Sequence, residues 1–178
     1  MADGGGFTET LLIITGTMGA GKTAVLAEAS DILAKRQIFH AAIDLDALGL
    51  AHLPLAAAGD GVMYGNLRSV CTNYAAVGVQ RFLLARAIED EAELRLCREI
   101  IPAANTVVCR LTARIEVMQR RIETRELGIA RQEYVARVAE LHAILERAQL
   151  EDFAVINDDR SLTEVALEML VKAGWISP

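Results

Sequence analysis

The sequence has little of several residue types that define particular classes of protein. Only three cysteines occur in 178 residues, and Cys71, Cys97 and Cys109 stand too far apart to form a Cys-x-x-Cys pair. This argues against a disulfide framework and a zinc site, and it favours a reducing, cytoplasmic compartment. Aromatic residues make up only 4% of the chain, so the core has to be built mainly from aliphatic side chains.

Long apolar runs and an excess of positive charge are also lacking. The early apolar run from Leu11 to Ile14 is far shorter than the roughly 20 residues that a membrane-spanning helix needs. The first residues carry no basic cluster of the kind that opens an export signal. A formal net charge of −6 argues against nucleic acid as a partner, although it still permits a local basic pocket for one small anion.

The sequence contains enough apolar residues to form a sizeable hydrophobic core. Hydrophobic residues make up 53% of the chain and charged residues 24%, which is typical of a folded protein. The length favours one domain over residues 1–178, with a loose glycine-rich tail at residues 1–8. We expect a monomer or a homodimer.

Apolar runs alternate with helix-favouring segments along the chain. Strands are predicted at Leu11–Thr15, Ile38–Leu45, Gln80–Ile88, Thr106–Leu111 and Phe153–Ile156. Helices are predicted at Lys22–Arg36, Val62–Ala76, Glu89–Ile101, Ala113–Glu126 and Gln132–Leu150, and a last helix begins after Ser161, where Glu164 completes a capping box. Residues 47–61 are expected to form an irregular connection. The alternation predicts an α/β fold, with a parallel sheet covered by helices on both faces.

The junction between the first strand and the first helix carries a phosphate-binding signature. The segment Gly16-Thr17-Met18-Gly19-Ala20-Gly21-Lys22-Thr23 fits Gly-x-x-x-x-Gly-Lys-[Ser/Thr] at every fixed position. Its glycines allow backbone N–H groups to surround an anion, and the following helix directs its N-terminus at the phosphates. Lys22 is expected to bridge the β- and γ-phosphates of ATP, and Thr23 to ligate Mg²⁺. The residues expected to bind the nucleotide are Gly16, Thr17, Met18, Gly19, Ala20, Gly21, Lys22, Thr23 and Ala24.

Other segments narrow the class of nucleotide-binding protein. No Asn-Lys-x-Asp segment is present to bind guanine, and no apolar run ends in the aspartate of an ordinary Walker B strand. The third predicted strand ends instead in Leu83-Leu84-Ala85-Arg86. The chain is also small for an oligomeric ATPase motor. These features favour a small phosphotransferase.

Two carboxylates lie at the end of the second predicted strand. Alternation along a strand places Asp44 and Asp46 on the same side, at the sheet edge where ligands bind in open α/β sheets. We expect Asp44 to serve Mg²⁺ and Asp46 to orient and deprotonate the acceptor hydroxyl, although which of the two is the base stays open. The alternative is that both are capping or turn residues.

Further polar residues are candidates for contacts with the two reactants. Arg121 and Arg125 are like charges one helical turn apart, and an ATP phosphate between them would turn their repulsion into attraction. Arg86 is expected to bind the acceptor or to pair with Asp44. Asn66 and Asn73 share one helix face and are expected to line the acceptor site. The alternative for Arg121 and Arg125 is a solvated charged face with salt bridges, and the alternative for the two asparagines is a plain solvent face.

These motifs resemble the small P-loop kinases of the adenylylsulfate kinase, shikimate kinase, gluconate kinase and chloramphenicol phosphotransferase group. The chain is also similar to bacterial AAA-family or adenylylsulfate kinase-like ATPases whose acceptor is not assigned. The resemblance implies a P-loop three-layer sandwich with strand order 2-3-1-4-5, and a helical lid at about residues 114–131 that is hinged near Gly128. It also implies that Arg121 and Arg125 contact nucleotide phosphates, and that the loop containing Asp159 lies beside adenine.

The sequence departs from each named kinase family at the acceptor side. Adenylylsulfate kinases have Asp-Gly-Asp-Asn where this chain has Asp44-Leu45-Asp46-Ala47. The His-Phe pair of gluconate kinases and the Gly-Gly-Gly loop of shikimate kinases are missing. We therefore expect transfer of the ATP γ-phosphoryl group to a hydroxyl of an unnamed small molecule. The alternatives are a nucleoside or nucleotide kinase, and a nucleotide-binding regulatory protein without an acceptor.

Overall fold

A computed structural model describes residues 9–54, 59–125 and 131–178. Five strands lie in these ranges, β1 to β5, at Thr10–Thr15, Ala41–Asp44, Arg81–Ala85, Asn105–Thr112 and Phe153–Ile156. Seven helices lie in the same ranges, α1 to α7, at Lys22–Lys35, Leu45–Leu48, Gly61–Ala76, Glu91–Ile100, Ile115–Arg125, Arg131–Ala148 and Leu162–Lys172. The predicted tail at 1–8 and the predicted hinge at Gly128 lie outside the described residues.

The strands form one parallel sheet with the order β2-β3-β1-β4-β5. Strand β1 is central, and its Leu12 lies opposite Leu83 of β3 and Val107 of β4. Parallel neighbours require long crossover connections, and helices supply them between successive strands. The predicted α/β class and strand order are confirmed. This order brings the carboxyl ends of β1, β3 and β2 side by side at one edge of the sheet.

Aliphatic side chains fill the space on both faces of the sheet. On one face, Leu12 and Ile14 of β1 pack in a cluster that also contains buried residues of α1 and α7. On the other face, Leu11 and Ile13 pack in a cluster with buried residues of α3 and α4. Both faces of β1 are therefore buried from solvent, which explains its uninterrupted run of apolar residues.

Two predicted strand boundaries are wrong, one because of a local helix end and one because of a distant contact. Strand β2 begins at Ala41 rather than Ile38, since α1 ends in a turn where Gln37 has a φ of 58° and the Ile38 N–H donates to Leu33 O. Strand β3 ends at Ala85 rather than Ile88, whose N–H donates to Thr15 Oγ1 at 3.0 Å. The other predicted elements differ from the structure by at most two residues at either end.

The expected strand alternation of Asp44 and Asp46 is also wrong. Strand β2 ends at Asp44, and the short helix α2 follows at once. Asp44 caps this helix, because its Oδ1 accepts a hydrogen bond from the Asp46 N–H at 3.1 Å. Asp46 therefore lies in the first helical turn, so the capping alternative describes Asp44 correctly.

Candidate active site

The segment from Gly16 to Thr23 connects β1 to α1 and is called the phosphate loop below. Gly16 and Gly19 have φ angles of 143° and 77°, a range that residues with a Cβ rarely adopt. A Cβ on Gly16 would lie 2.5 Å from Leu111 O, and one on Gly19 would lie 2.5 Å from Met118 O. The loop thus needs glycine for its curvature and for its close contact with β4 and α5.

Side-chain donors hold the carbonyl oxygens of the phosphate loop. Lys22 Nζ donates to Gly16 O at 2.9 Å and to Thr17 O at 3.3 Å. Arg121 donates to Gly19 O at 3.2 Å, and Asn157 Nδ2 donates to Ala20 O at 2.7 Å. Because these carbonyl oxygens already accept hydrogen bonds, their partial negative charge is directed away from an anion that enters the loop.

Lys22 lies at the N-terminus of α1, whose first turn has no acidic residue. Burial lowers the pKa of its ammonium group, while the nearby carboxylates of Asp46 and Asp44 act to raise it. A helix N-terminus and a desolvated ammonium together form a site suited to an anion. The arrangement fits the phosphates of a nucleotide.

The hydroxyl of Thr23 lies against the second candidate metal ligand. Thr23 Oγ1 donates to Asp44 Oδ2 at 2.7 Å, although the two residues are far apart in the sequence. A hydroxyl and a carboxylate are oxygen ligands of the kind that Mg²⁺ binds together with substrate phosphates. Across the described ranges, no group of three or more His, Cys, Asp or Glu side chains could hold a metal ion unaided. The pair therefore fits Mg²⁺ that arrives with a nucleotide.

Asp46 belongs to an ion-pair network that is centred on Arg86. Arg86 donates to Asp46 Oδ1 at 2.6 Å, to Asp60 Oδ2 at 3.1 Å and to Glu93 Oε1 at 2.9 Å. Glu93 also accepts a hydrogen bond from the hydroxyl of Tyr64 at 2.7 Å. Burial, followed by this bond, raises the pKa of Tyr64, so the phenol stays a donor.

The sequence predicts that Arg86 either binds the acceptor or pairs with Asp44. The structure pairs it instead with Asp46 and two other carboxylates. It immediately follows the last residue of β3, so its side chain emerges at the carboxyl edge of the sheet beside β2. Burial acts to lower the pKa of Arg86, but the hydrogen bonds that its guanidinium donates to Glu93 and Asp46, together with the charges of these carboxylates, raise it overall.

Two depressions meet at Asp46. The first, called the nucleotide groove, has a volume of about 550 Å³ and is lined by Met18, Gly19, Gly21, Lys22, Thr23, Ala24, Ala27, Asp46, Arg121, Ile122 and Arg125. The second, called the acceptor cavity, has a volume of about 180 Å³ and is lined by Asp46, Leu48, Gly49, Ala51, Leu53, Gly59, Asp60, Val62, Met63, Asn66 and Arg86. Asp46 lines both of them.

The predicted arginines of α5 lie on the nucleotide groove. Besides its bond to Gly19 O, Arg121 donates to Asn157 O at 2.8 Å. Arg125 lines the groove and lies close enough to Lys22 to lower the pKa of that ammonium group. Residues 126–130 of the predicted lid lie outside the described residues, so the movement of a lid stays a prediction.

Of the other predicted site residues, one lines the acceptor cavity and two lie outside the described linings of both depressions. Asn66 lines the acceptor cavity and donates to Leu48 O at 2.9 Å. Asn73 is exposed, about two turns further along α3, and is outside the described lining of the cavity. Asp159 has a φ of 48° and pairs with Arg114 at 2.8 Å, away from the described lining of the groove.

Several residues of the site were not singled out by the sequence. Asn157 is only 2% exposed and donates to Ala20 O of the phosphate loop, whereas the sequence places it only in the loop that also contains Asp159. Asp60 and Glu93 were not singled out, because their partner Arg86 is 26 and 7 residues away along the chain. The only available signal was an arginine at the end of an apolar strand, which requires carboxylate partners when it is buried.

Comparison with known proteins gives structural likeness but no sequence match. No protein-family model matches the sequence, and no curated protein sequence matches it. The APS kinase of Mycobacterium tuberculosis, solved in complex with AMPPNP and APS, is 18% identical, with a TM-score of 0.60 over 93% of this chain and 97% of that one. A gluconokinase from Sinorhizobium meliloti 1021 is 18% identical, with a TM-score of 0.61 over 94% and 93% of the two chains.

A third structural neighbour is the tunicamycin resistance protein of Deinococcus radiodurans. It is 15% identical, with a TM-score of 0.64 over 94% of this chain and 97% of that one. At these identities the likenesses show that the chain shares the fold of these three proteins. Among the residues that the structure describes, every helix is too short or too polar to cross a lipid bilayer.

Proposed function

We propose that the protein transfers the γ-phosphoryl group of ATP to a hydroxyl group of a small molecule. The observation that carries this proposal is the position of Asp46, which lines both the nucleotide groove and the acceptor cavity. A group at the junction of two reactant sites can touch both reactants, and orienting them for an in-line displacement is most of what phosphoryl transfer requires.

The phosphate loop supports the nucleotide half of the proposal. Lys22 and the N-terminus of α1 would hold the phosphates, and Thr23 and Asp44 would hold Mg²⁺. When bound, Mg²⁺ neutralises charge on the phosphate oxygens. Arg121 and Arg125 line the same groove, where cationic groups stabilise the charge of the transferring group. The structural neighbours named above include kinases, which favours the same reaction class.

Asp46 is proposed as the general base. The acceptor hydroxyl gives its proton to Asp46 while the hydroxyl oxygen forms a bond to the γ-phosphorus. The bond between the γ-phosphorus and the β,γ-bridging oxygen breaks, and ADP leaves with that electron pair. The side chain of Asp46 is 58% exposed, so a hydroxyl can reach it, and the ion pair with Arg86 fixes its position.

The experiment measures transfer of label from γ-labelled ATP into a fractionated metabolite extract. Asp46→Asn is expected to lower the rate by about 100-fold or more, since a general base typically contributes 10²–10⁴-fold, while ATP affinity stays within about twofold. Asp31→Asn, an exposed carboxylate of α1, is the matched control and should keep the full rate. Lys22→Ala should instead lose nucleotide affinity in calorimetry.

The outcomes separate the alternatives. Full turnover in Asp46→Asn would refute the base assignment, and full ATP affinity in Lys22→Ala would refute the role of the phosphate loop. Tight ATP binding with no labelled product from any fraction would favour a nucleotide-binding regulatory protein. Transfer of label to a nucleoside monophosphate, which yields a labelled nucleoside diphosphate, would favour a nucleotide kinase. The engagement of Arg86 with three carboxylates does not favour that outcome.

A further inference from the structure

Arg86 is surrounded by carboxylates from three different parts of the chain. Its Nη1 contacts Asp46 of α2, its Nη2 contacts Asp60 just before α3, and its Nε contacts Glu93 of α4. Each of the three guanidinium nitrogens thus has its own carboxylate partner. The charge of Arg86 is more than balanced before any acceptor arrives.

The balance of charge at the acceptor cavity is therefore negative. Of its described lining residues, Asp46 and Asp60 are acidic and Arg86 is basic, and Glu93 lies behind Arg86 as a further carboxylate. Exposure strengthens the effect, because the side chains of Asp46 and Asp60 are 58% and 62% exposed while that of Arg86 is 21% exposed. An entering molecule meets carboxylate oxygens before it meets the guanidinium.

Asp60 is turned toward this network instead of capping its helix. It occupies the N-cap position of α3, where aspartate commonly accepts a backbone hydrogen bond, yet its side chain makes no capping bond. Its carboxylate contacts Arg86 at 3.1 Å and lines the cavity. A local helix-capping role therefore does not account for Asp60.

An anionic acceptor would be disfavoured at this position. To bind Arg86 it would have to displace a carboxylate from the guanidinium, and the displaced group would then face a like charge at close range. An uncharged alcohol instead donates its hydroxyl protons to the exposed carboxylate oxygens, and an ammonium group gains an ion pair with them. The small volume, about 180 Å³, lies below the roughly 300 Å³ at which pockets for drug-sized ligands begin.

We propose that the acceptor is a small alcohol without an anionic group, either an uncharged polyol or an amino alcohol, and that Asp60 is part of its binding site. This inference rests on the proposed phosphotransferase function. It distinguishes this protein from kinases that act on carboxylates or phosphate esters, and it gives Arg86 the role of positioning Asp46 and Asp60.

The test separates a metabolite extract by charge before the reaction. Three pools are prepared, one bound by a cation exchanger, one bound by an anion exchanger and one bound by neither, and each is incubated with the protein and γ-labelled ATP. Labelled product is expected from the cationic or the unbound pool. Product formed mainly from the anionic pool would overturn the inference while leaving the phosphotransferase function intact. ATP binding without product from any pool would overturn that function and this inference with it.

A variant pair tests the role of Asp60 in the same assay. With the accepting pool at a limiting concentration, Asp60→Asn is expected to lower the initial rate about tenfold, since a bond to a charged group is lost, with the KM for ATP unchanged. Asp31→Asn removes an exposed carboxylate of α1 and should leave the rate unchanged. An unchanged rate in Asp60→Asn, with an unfolding temperature like that of the parent protein, would remove Asp60 from the acceptor site.

Discussion

Single side chains shape the phosphate loop from outside it. Asn157 follows β5 and Arg121 lies on α5, yet both donate to loop carbonyls, and Arg121 also donates to the carbonyl of Asn157. The loop, α5 and the end of β5 are therefore joined by three hydrogen bonds. Signature glycines make the loop possible, and these donors determine which conformation it keeps.

Gly19→Ala is expected to damage this site. The added methyl group would lie 2.5 Å from Met118 O at a φ of 77°, which combines backbone strain with overpacking at a cost of about 2–4 kcal/mol. Because α5 has to shift, ATP affinity should fall at least about tenfold. Urea unfolding and calorimetric titration with ATP measure the two effects.

Gly174→Ala is the matched control for Gly19→Ala. Gly174 has a φ of 71° but no atom within 4 Å of an added Cβ, so it isolates backbone strain from steric conflict. It should lose about 1–2 kcal/mol of stability and keep the parent affinity for ATP. Equal effects of the two variants on ATP binding would contradict the importance of the contact with α5.

At the scale of elements, helix starts with a local chemical signal were predictable and strand ends set by distant contacts were not. Ser161 and Glu164 form a complete capping box at the start of α7, as the sequence predicted. The start of α1 at Lys22 also follows from the signature itself. The start of β2 is set by the local helix end at Gln37, whose left-handed φ is unusual for a residue other than glycine. The end of β3 depends on a bond to Thr15, which is distant in the sequence.

Ser161→Ala tests how much the capping box stabilises α7. The change removes the bond from the Glu164 N–H to Ser161 Oγ at 3.2 Å and is expected to cost about 1 kcal/mol of unfolding free energy. Ser161→Asp should restore most of this loss. Urea unfolding followed by circular dichroism gives the difference.

Ser69→Ala provides the same chemical change in the middle of α3. The Ser69 hydroxyl donates to Gly65 O within its own helix, a bond that contributes little to helix stability. This variant should be neutral or slightly stabilised, because alanine is the better helix former. A loss equal to that of Ser161→Ala would contradict the capping argument.

At the scale of the whole molecule, the sheet separates two hydrophobic clusters. Cys109 lies in the cluster that contains residues of α1 and α7, and Cys71 and Cys97 lie in the cluster with residues of α3 and α4. All three thiols are buried and free. Burial raises the pKa of Cys71 to about 11 and those of Cys97 and Cys109 to about 12.

The native protein is therefore expected to resist thiol reagents. Only the thiolate reacts, so at pH 8 an aromatic disulfide reagent should modify less than about one thiol within minutes. All three thiols should react after unfolding in guanidinium chloride. Rapid modification of Cys71 or Cys109 under native conditions, located by mass spectrometry, would show that the corresponding cluster opens locally.

The sequence predicted the whole fold better than it predicted the acceptor half of the site. Alternating strands and helices and one signature loop determined the class of fold and the place of the nucleotide. The acceptor cavity depends on Arg86 and on carboxylates 40, 26 and 7 residues away from it. Such a network has no fixed spacing, since folding alone brings its members together.

The two halves of the site come from separate stretches of the chain, which has a practical consequence for protein engineering. Apart from Arg86, the described lining of the acceptor cavity comes from the stretch between Asp46 and Asn66. The clamps on the phosphate loop come from α5 and from Asn157, far away along the chain. Chimaeras that exchange residues 47–76 and retain Asp46 are therefore expected to alter acceptor preference while keeping the nucleotide half of the molecule intact.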